Sequence, residues 1–90
     1  MTIDPEEIKS NIKTNVYHIT SDRKVALHKH SQHDELFYCM KGSGFGVLEN
    51  SEIELTTGVV FNVPSNTLHA LRTDNDLWVS SFLIPVLEGE

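Results

Sequence analysis

Three histidines and a glutamate carry the chemistry of this chain. His28, His30 and Glu35 lie in Leu27-His28-Lys29-His30-Ser31-Gln32-His33-Asp34-Glu35, and His69 closes Pro64-Ser65-Asn66-Thr67-Leu68-His69. His28 and His30 are two positions apart, so on a strand both rings project from one face, with alpha carbons ~6.6 Å apart. A helix would need a spacing of three or four. A polar break from Ser31 to Asp34 precedes Glu35, which lets a hairpin return the carboxylate beside the two rings. Imidazole and carboxylate together suit one divalent transition ion, with Fe, Mn, Ni, Zn and Cu all compatible. His33 is an alternate ligand, because it completes an H-x-H-x2-H set within the same stretch, although the middle of a polar loop usually faces solvent. Cys39 is four residues beyond Glu35, or ~13 Å along a regular strand. It is therefore read as a small buried hydrophobe. His18 has no partner in this pattern and is read as a surface or dimer-contact residue.

The elements that must aim these groups are strands. From Asn15 onward, segments rich in Val, Ile, Phe, Tyr and Thr alternate with polar or glycine breaks. They run approximately Val16 to Thr20, Lys24 to His30, Glu35 to Met40, Gly44 to Leu48, Glu52 to Leu55, Val59 to Val63, Leu68 to Thr73 and Leu77 to Ile84. The breaks include Gly42-Ser43-Gly44, read as a hairpin corner, and Pro64-Ser65-Asn66. Seven or eight strands so evenly spaced predict a small all-β sandwich or barrel. Ahead of them, Asp4-Pro5-Glu6-Glu7-Ile8 predicts a short helix with Asp4 as N-cap and Pro5 at the first helical position. Its apolar stripe is only Ile8 and Ile12. The division is thus an N-terminal segment over residues 1–14 and a β-barrel domain over 15–90.

Composition narrows the partners. Ninety residues suffice for one domain, and seven basic against thirteen acidic side chains leave no positive stripe for phosphates. No nucleic acid is expected. The single cysteine, the lack of a long apolar run and the lack of a basic-then-apolar leader pattern predict a cytoplasmic protein that does not engage a membrane.

Two motifs in this stretch resemble those of the cupin family, small jelly-roll barrels built as a double-stranded β-helix. G-x5-H-x-H-x(3,4)-E-x6-G meets His28, His30, Glu35 and Gly42 at matching intervals, with Asp22 in the leading glycine position. G-x5-P-x-G-x2-H-x3-N meets Gly58, Pro64 and His69, with Asn66 replacing glycine and Thr73 replacing asparagine. Asparagine enters left-handed backbone space more readily than other non-glycine residues, so Asn66 can keep the turn. The likeness in strand pattern covers Asn15 to Pro85. It implies a cupin barrel with His28, His30, Glu35 and His69 as the metal ligands.

Strand parity puts Phe37 and Cys39 on the face of Glu35, and Leu71 and Thr73 on the face of His69. With Asn62 and Trp78, whose parity the sequence leaves open, Phe37, Leu71 and Thr73 form the expected small-molecule pocket. Leu36, Tyr38 and Met40 fall on the opposite face, and such an apolar patch predicts a homodimer, or else cover by Ile8, Ile12 and Pro85-Val86-Leu87. Three imidazoles and a carboxylate leave two open positions on a six-coordinate ion and none on a tetrahedral one. The leading expectation is therefore a metal-dependent small-molecule enzyme, an oxygenase or an isomerase or lyase. A metal-loaded binding or sensor module and a zinc-locked structural barrel are the alternatives.

Overall fold

A computed structural model describes residues 3–87 as one short helix followed by seven strands. Helix α1 (Pro5–Asn11) starts where the Asp4 carboxylate accepts the Glu6 amide at 3.1 Å, and ends as Ile12 turns extended. The strands are β1 (Lys13–Thr20), β2 (Val25–His28), β3 (His33–Leu48), β4 (Glu52–Thr56), β5 (Val60–Val63), β6 (His69–Arg72) and β7 (Asp76–Pro85). All pairings are antiparallel, and they curl the chain into a half-barrel of two sheets.

Strand β3 joins the two sheets. Its first half pairs with β5 and β7, giving the order β1-β7-β3-β5, and its second half pairs with β4 and β6, giving β2-β6-β3-β4. The expected hairpin at Gly42-Ser43-Gly44 is instead a bend within this one strand. The register against β7 shifts between Cys39 and Lys41, and Gly42 has φ +87°. Backbone that takes a bulge kinks and twists without reversing, and here the kink carries β3 from one sheet to the other. A Cβ at Gly42 would stand 2.0 Å from the Asp76 carbonyl oxygen, so only glycine fits this bend.

Alternation along the strands fixes the core. Ile19, Phe37, Cys39, Leu55, Phe61, Val63, Leu71, Leu77 and Val79 are buried between the sheets. Each large side chain among them contributes roughly 1.5–3 kcal/mol of burial. Successive inner rungs of the first sheet read Lys13–Leu83–Glu35–Val63 and Asn15–Ser81–Phe37–Phe61. The second rung starts the hydrophobic floor; the first carries the Glu35 carboxylate above it. On the outer face Val16, Tyr38, Val60 and Phe82 remain exposed within the single chain. Ile8 lies instead with Ile3 against Pro85 and Leu87 at the end of β7. None of the described helices is long and apolar enough to cross a membrane.

Candidate metal centre

The two sheets bring four side chains to one point at the open end of the half-barrel. His28 ends β2 and His69 begins β6 as direct cross-strand partners, so the second sheet supplies two rings side by side, 4.3 Å between centroids. His30 follows two residues after His28, beyond the end of β2, and its ring meets that of His28 edge-on at 84°. The first sheet supplies Glu35 from the start of β3. One ligand atom from each of the four lies within 4.8 Å of the others. The Nε2 atoms of His30 and His69 are each 3.1 Å from Glu35 Oε1, and His28 Nε2 is 3.9 Å away.

The ring orientations are fixed from behind. His28 Nδ1 donates to the Ala26 carbonyl at 2.8 Å and His69 Nδ1 to the Thr67 carbonyl at 2.7 Å. A carbonyl only accepts, so Nδ1 carries a proton, and whenever the ring is neutral it is the Nε2 lone pair that points at the carboxylate. Lone pairs facing a carboxylate call for either a proton or a cation between them. Ser81 holds the other Glu35 oxygen at 2.6 Å through its hydroxyl. Burial pushes the Glu35 carboxyl up, but hydrogen bonds from His69 and Ser81 and the charges of His30 and His69 outweigh it and leave the group below the ordinary carboxylate range. Burial likewise pushes His69 down, and its hydrogen bond to Glu35, its bond to Thr67 and the Glu35 charge bring it above the ordinary imidazole value. With any Nε2 protons displaced, three imidazoles and one ionised carboxylate, already converged and supported, are a donor set that fits a divalent transition ion.

Residues 15–84 match the model of the cupin domain. The chain belongs to the cupin family. Among curated proteins, this cupin is 36% identical over 52 residues to quercetin 2,3-dioxygenase of Bacillus subtilis (strain 168), a match covering 58% of this chain and 15% of the dioxygenase. It is 33% identical over 49 residues to an uncharacterized protein of Methanocaldococcus jannaschii, covering 54% of this chain and 39% of that one. The matched stretches thus span well under half of both relatives. The crystal structure of a predicted oxalate decarboxylase from Thermotoga maritima superposes with a TM-score of 0.78 at 20% identity, covering 93% of this chain and 76% of that one. The last likeness concerns the fold.

The cupin half-barrel separates the expected site residues. His33 stands outside the cluster: its Nδ1 faces the Ser31 carbonyl at 3.3 Å, and its side chain lines a different cleft with Gln32 and Asn66. Asn66 has φ +64° and donates its amide to the His30 carbonyl at 2.7 Å, which ties the His69 turn to the loop carrying His30. Cys39 is fully buried, and burial pushes its thiol up, away from a metal-binding thiolate.

The expected pocket is corrected at most of its walls. Asn62 is exposed between buried Phe61 and Val63, and Trp78 lies on the outer face between buried Leu77 and Val79. Thr73 is buried, but it donates to the Ser43 carbonyl at 2.6 Å and accepts the Asn75 amide at 3.0 Å, so it ties a turn four residues past His69, ~13 Å along the strand. Leu71 is a core residue behind β2 and β6. Phe37 is buried with its ring centroid 5.8 Å from that of His69, and so backs the cluster from beneath. The cleft in front of the histidines, about 280 Å³, is walled by Lys13, Asn15, Tyr17, Ser81 and Leu83. β1 starts at Lys13, inside the segment expected to precede the barrel, because its first residues are exposed and carry no apolar alternation.

Proposed function

We propose that this chain is a metal-dependent cupin that transforms a small organic molecule, as an oxygenase in the first instance and otherwise as an isomerase or lyase. One observation carries the reading. His28 and His30 are about one-third exposed at the cleft, whereas His69 and Glu35 are buried behind them. A centre held from behind and open in front admits a ligand at the ion; a purely structural lock has no use for the opening.

His28, His30, Glu35 and His69 would hold the ion, which when bound supplies Lewis acidity or, with a redox metal, an electron path to dioxygen. The chain's own residues then do the positioning. Ser81 holds Glu35, and the Ala26 and Thr67 carbonyls hold two of the rings. Leu83 gives the cleft an apolar wall, and Phe37 packs beneath the cluster against His69. The resemblance to a quercetin 2,3-dioxygenase over 52 residues supports the oxygenase form. A binding or sensor module is the second reading, favoured by the exposure of His28 and His30 to solvent.

The test is dioxygen uptake by protein loaded separately with Fe(II), Mn(II), Ni(II) and Cu(II), against a panel of small acids, catechols and flavonols. Uptake in at least one pairing, abolished in Glu35→Ala, is the expected result. Absence of turnover with every metal, together with a Mn(II) form whose ion exchanges no water, would contradict an open catalytic centre.

A further inference from the structure

The edge strand β1 places a second recognition group in the cleft. Lys13, Asn15 and Tyr17 are two apart along it, so all three face inward, and they line the cleft beside His28, His30 and Glu35. Asn15 is held at both ends of its amide: Oδ1 accepts the Val16 amide at 2.9 Å and Nδ2 donates to Tyr17 Oη at 3.2 Å. The phenol, having accepted, is left with its O–H to donate. Lys13 makes no salt bridge among the described residues. An ammonium and a phenolic O–H therefore face the cleft as donors.

Charge selects the ligand. The chain carries a formal net charge of −6, yet the charged side chains lining this cleft besides the histidines are Lys13 and Glu35. A divalent ion held by Glu35 makes the cleft positive within an acidic protein, and a positive recess in such a surface concentrates anions. We infer that the cleft recognises a small organic acid whose carboxylate is held by Lys13 and Tyr17 while a second oxygen reaches the histidine cluster. This rests on the reading of the cluster as a metal centre. Lys13 and Glu35 share a rung with β7 between them, so their alpha carbons are ~10 Å apart. After both side chains reach inward, a three- to five-carbon diacid spans the remainder.

Protein loaded with Co(II) and titrated with succinate, succinamide and acetohydroxamate tests the inference, with Co(II) stoichiometry measured in parallel. Succinate is expected to bind at least about tenfold more tightly than succinamide, as charge-assisted hydrogen bonds require. Lys13→Gln should weaken succinate about tenfold and leave acetohydroxamate and Co(II) stoichiometry unchanged, Lys13→Arg should restore most of the loss, and Tyr17→Phe should have the smaller effect. Equal binding of succinate by wild type and Lys13→Gln, or of the diacid and the diamide by wild type, overturns the inference. Stoichiometric Co(II) with no succinate binding removes the acid site and leaves the metal reading standing; absence of Co(II) removes both.

Discussion

Two places in this molecule set imidazole against carboxylate, and they are built differently. At the far end of the first sheet, the His18 ring hydrogen-bonds to Asp76 and stacks on Trp78, with centroids 4.0 Å apart and planes within 10°. That is one ring for one carboxylate, both partly exposed, with the ring held by an indole face. At the open end of the half-barrel, three rings share one carboxylate, and backbone carbonyls aim two of them from behind. The first arrangement is complete as a one-to-one hydrogen bond. The second turns three imidazole Nε2 atoms on one carboxylate oxygen, and the acceptors that meet there once the rings are neutral are what a metal ion would satisfy.

Removing a ring from each of the two sites should separate them most strongly. His69→Ala should lower metal affinity by more than the roughly 10–100-fold that loss of an outer hydrogen-bond partner costs. His18→Ala should leave metal content at the wild-type level; a parallel loss in both variants, measured by elemental analysis, would erase the distinction. A milder perturbation is Ser81→Ala, which takes the hydroxyl from buried Glu35 and should weaken metal about tenfold. Without metal the same change should cost about 1–2 kcal/mol in urea unfolding.

Acidity separates the metal-free cluster from the loaded one. Glu35 sits below its ordinary value, so its contribution to stability is present above about pH 4.3 and is lost as pH falls through its folded value. His69 sits above its ordinary value, so its contribution is complete below about pH 6.5 and is lost as pH rises through its folded value. The metal-free pair is therefore most stabilising between those two limits. Metal binding runs the other way, since imidazole must be neutral to coordinate. Metal should raise Tm clearly at pH 7.5 and little at pH 5, and an equal rise at both would argue against histidine coordination. The smallest expected effect is at the outer pair: Asp76 lies below the ordinary carboxylate range through its hydrogen bond from His18, and Asp76→Asn should lower Tm only slightly, with metal content unchanged.

The cluster was legible in the sequence because each of its intervals is local or set by alternation. His28 and His30 share a face by parity, and a short polar loop returns Glu35. The β class and the double sheet followed from evenly cut apolar segments. Less legible were features decided by pairing across long separations. Trp78 and Asn62 face outward because of the register of β7 and β5 on β3, and that register contains a shift between Cys39 and Lys41 with no signature in composition. His18 acquires Asp76 and Trp78 only through the β1–β7 pairing, 58 residues apart for His18 and Asp76. The bend at Gly42 looks like a turn because glycine serves both, and only the pairing on either side tells them apart. Lys13 and Asn15 carry no pattern in the sequence because β1 begins at the mouth of the cleft, where an inner face can be polar.

The ligand atoms of His28, His30, Glu35 and His69 converge between the two sheets, where one metal ion would be held. Elemental analysis with X-ray absorption spectroscopy on protein purified without an affinity tag measures it most directly. Close to one transition ion per chain is expected, in a shell of three imidazole nitrogens and carboxylate oxygen, lost when His69 is replaced. Protein that takes up no ion at pH 7.5, or whose bound ion keeps the same shell in His69→Ala, would contradict it.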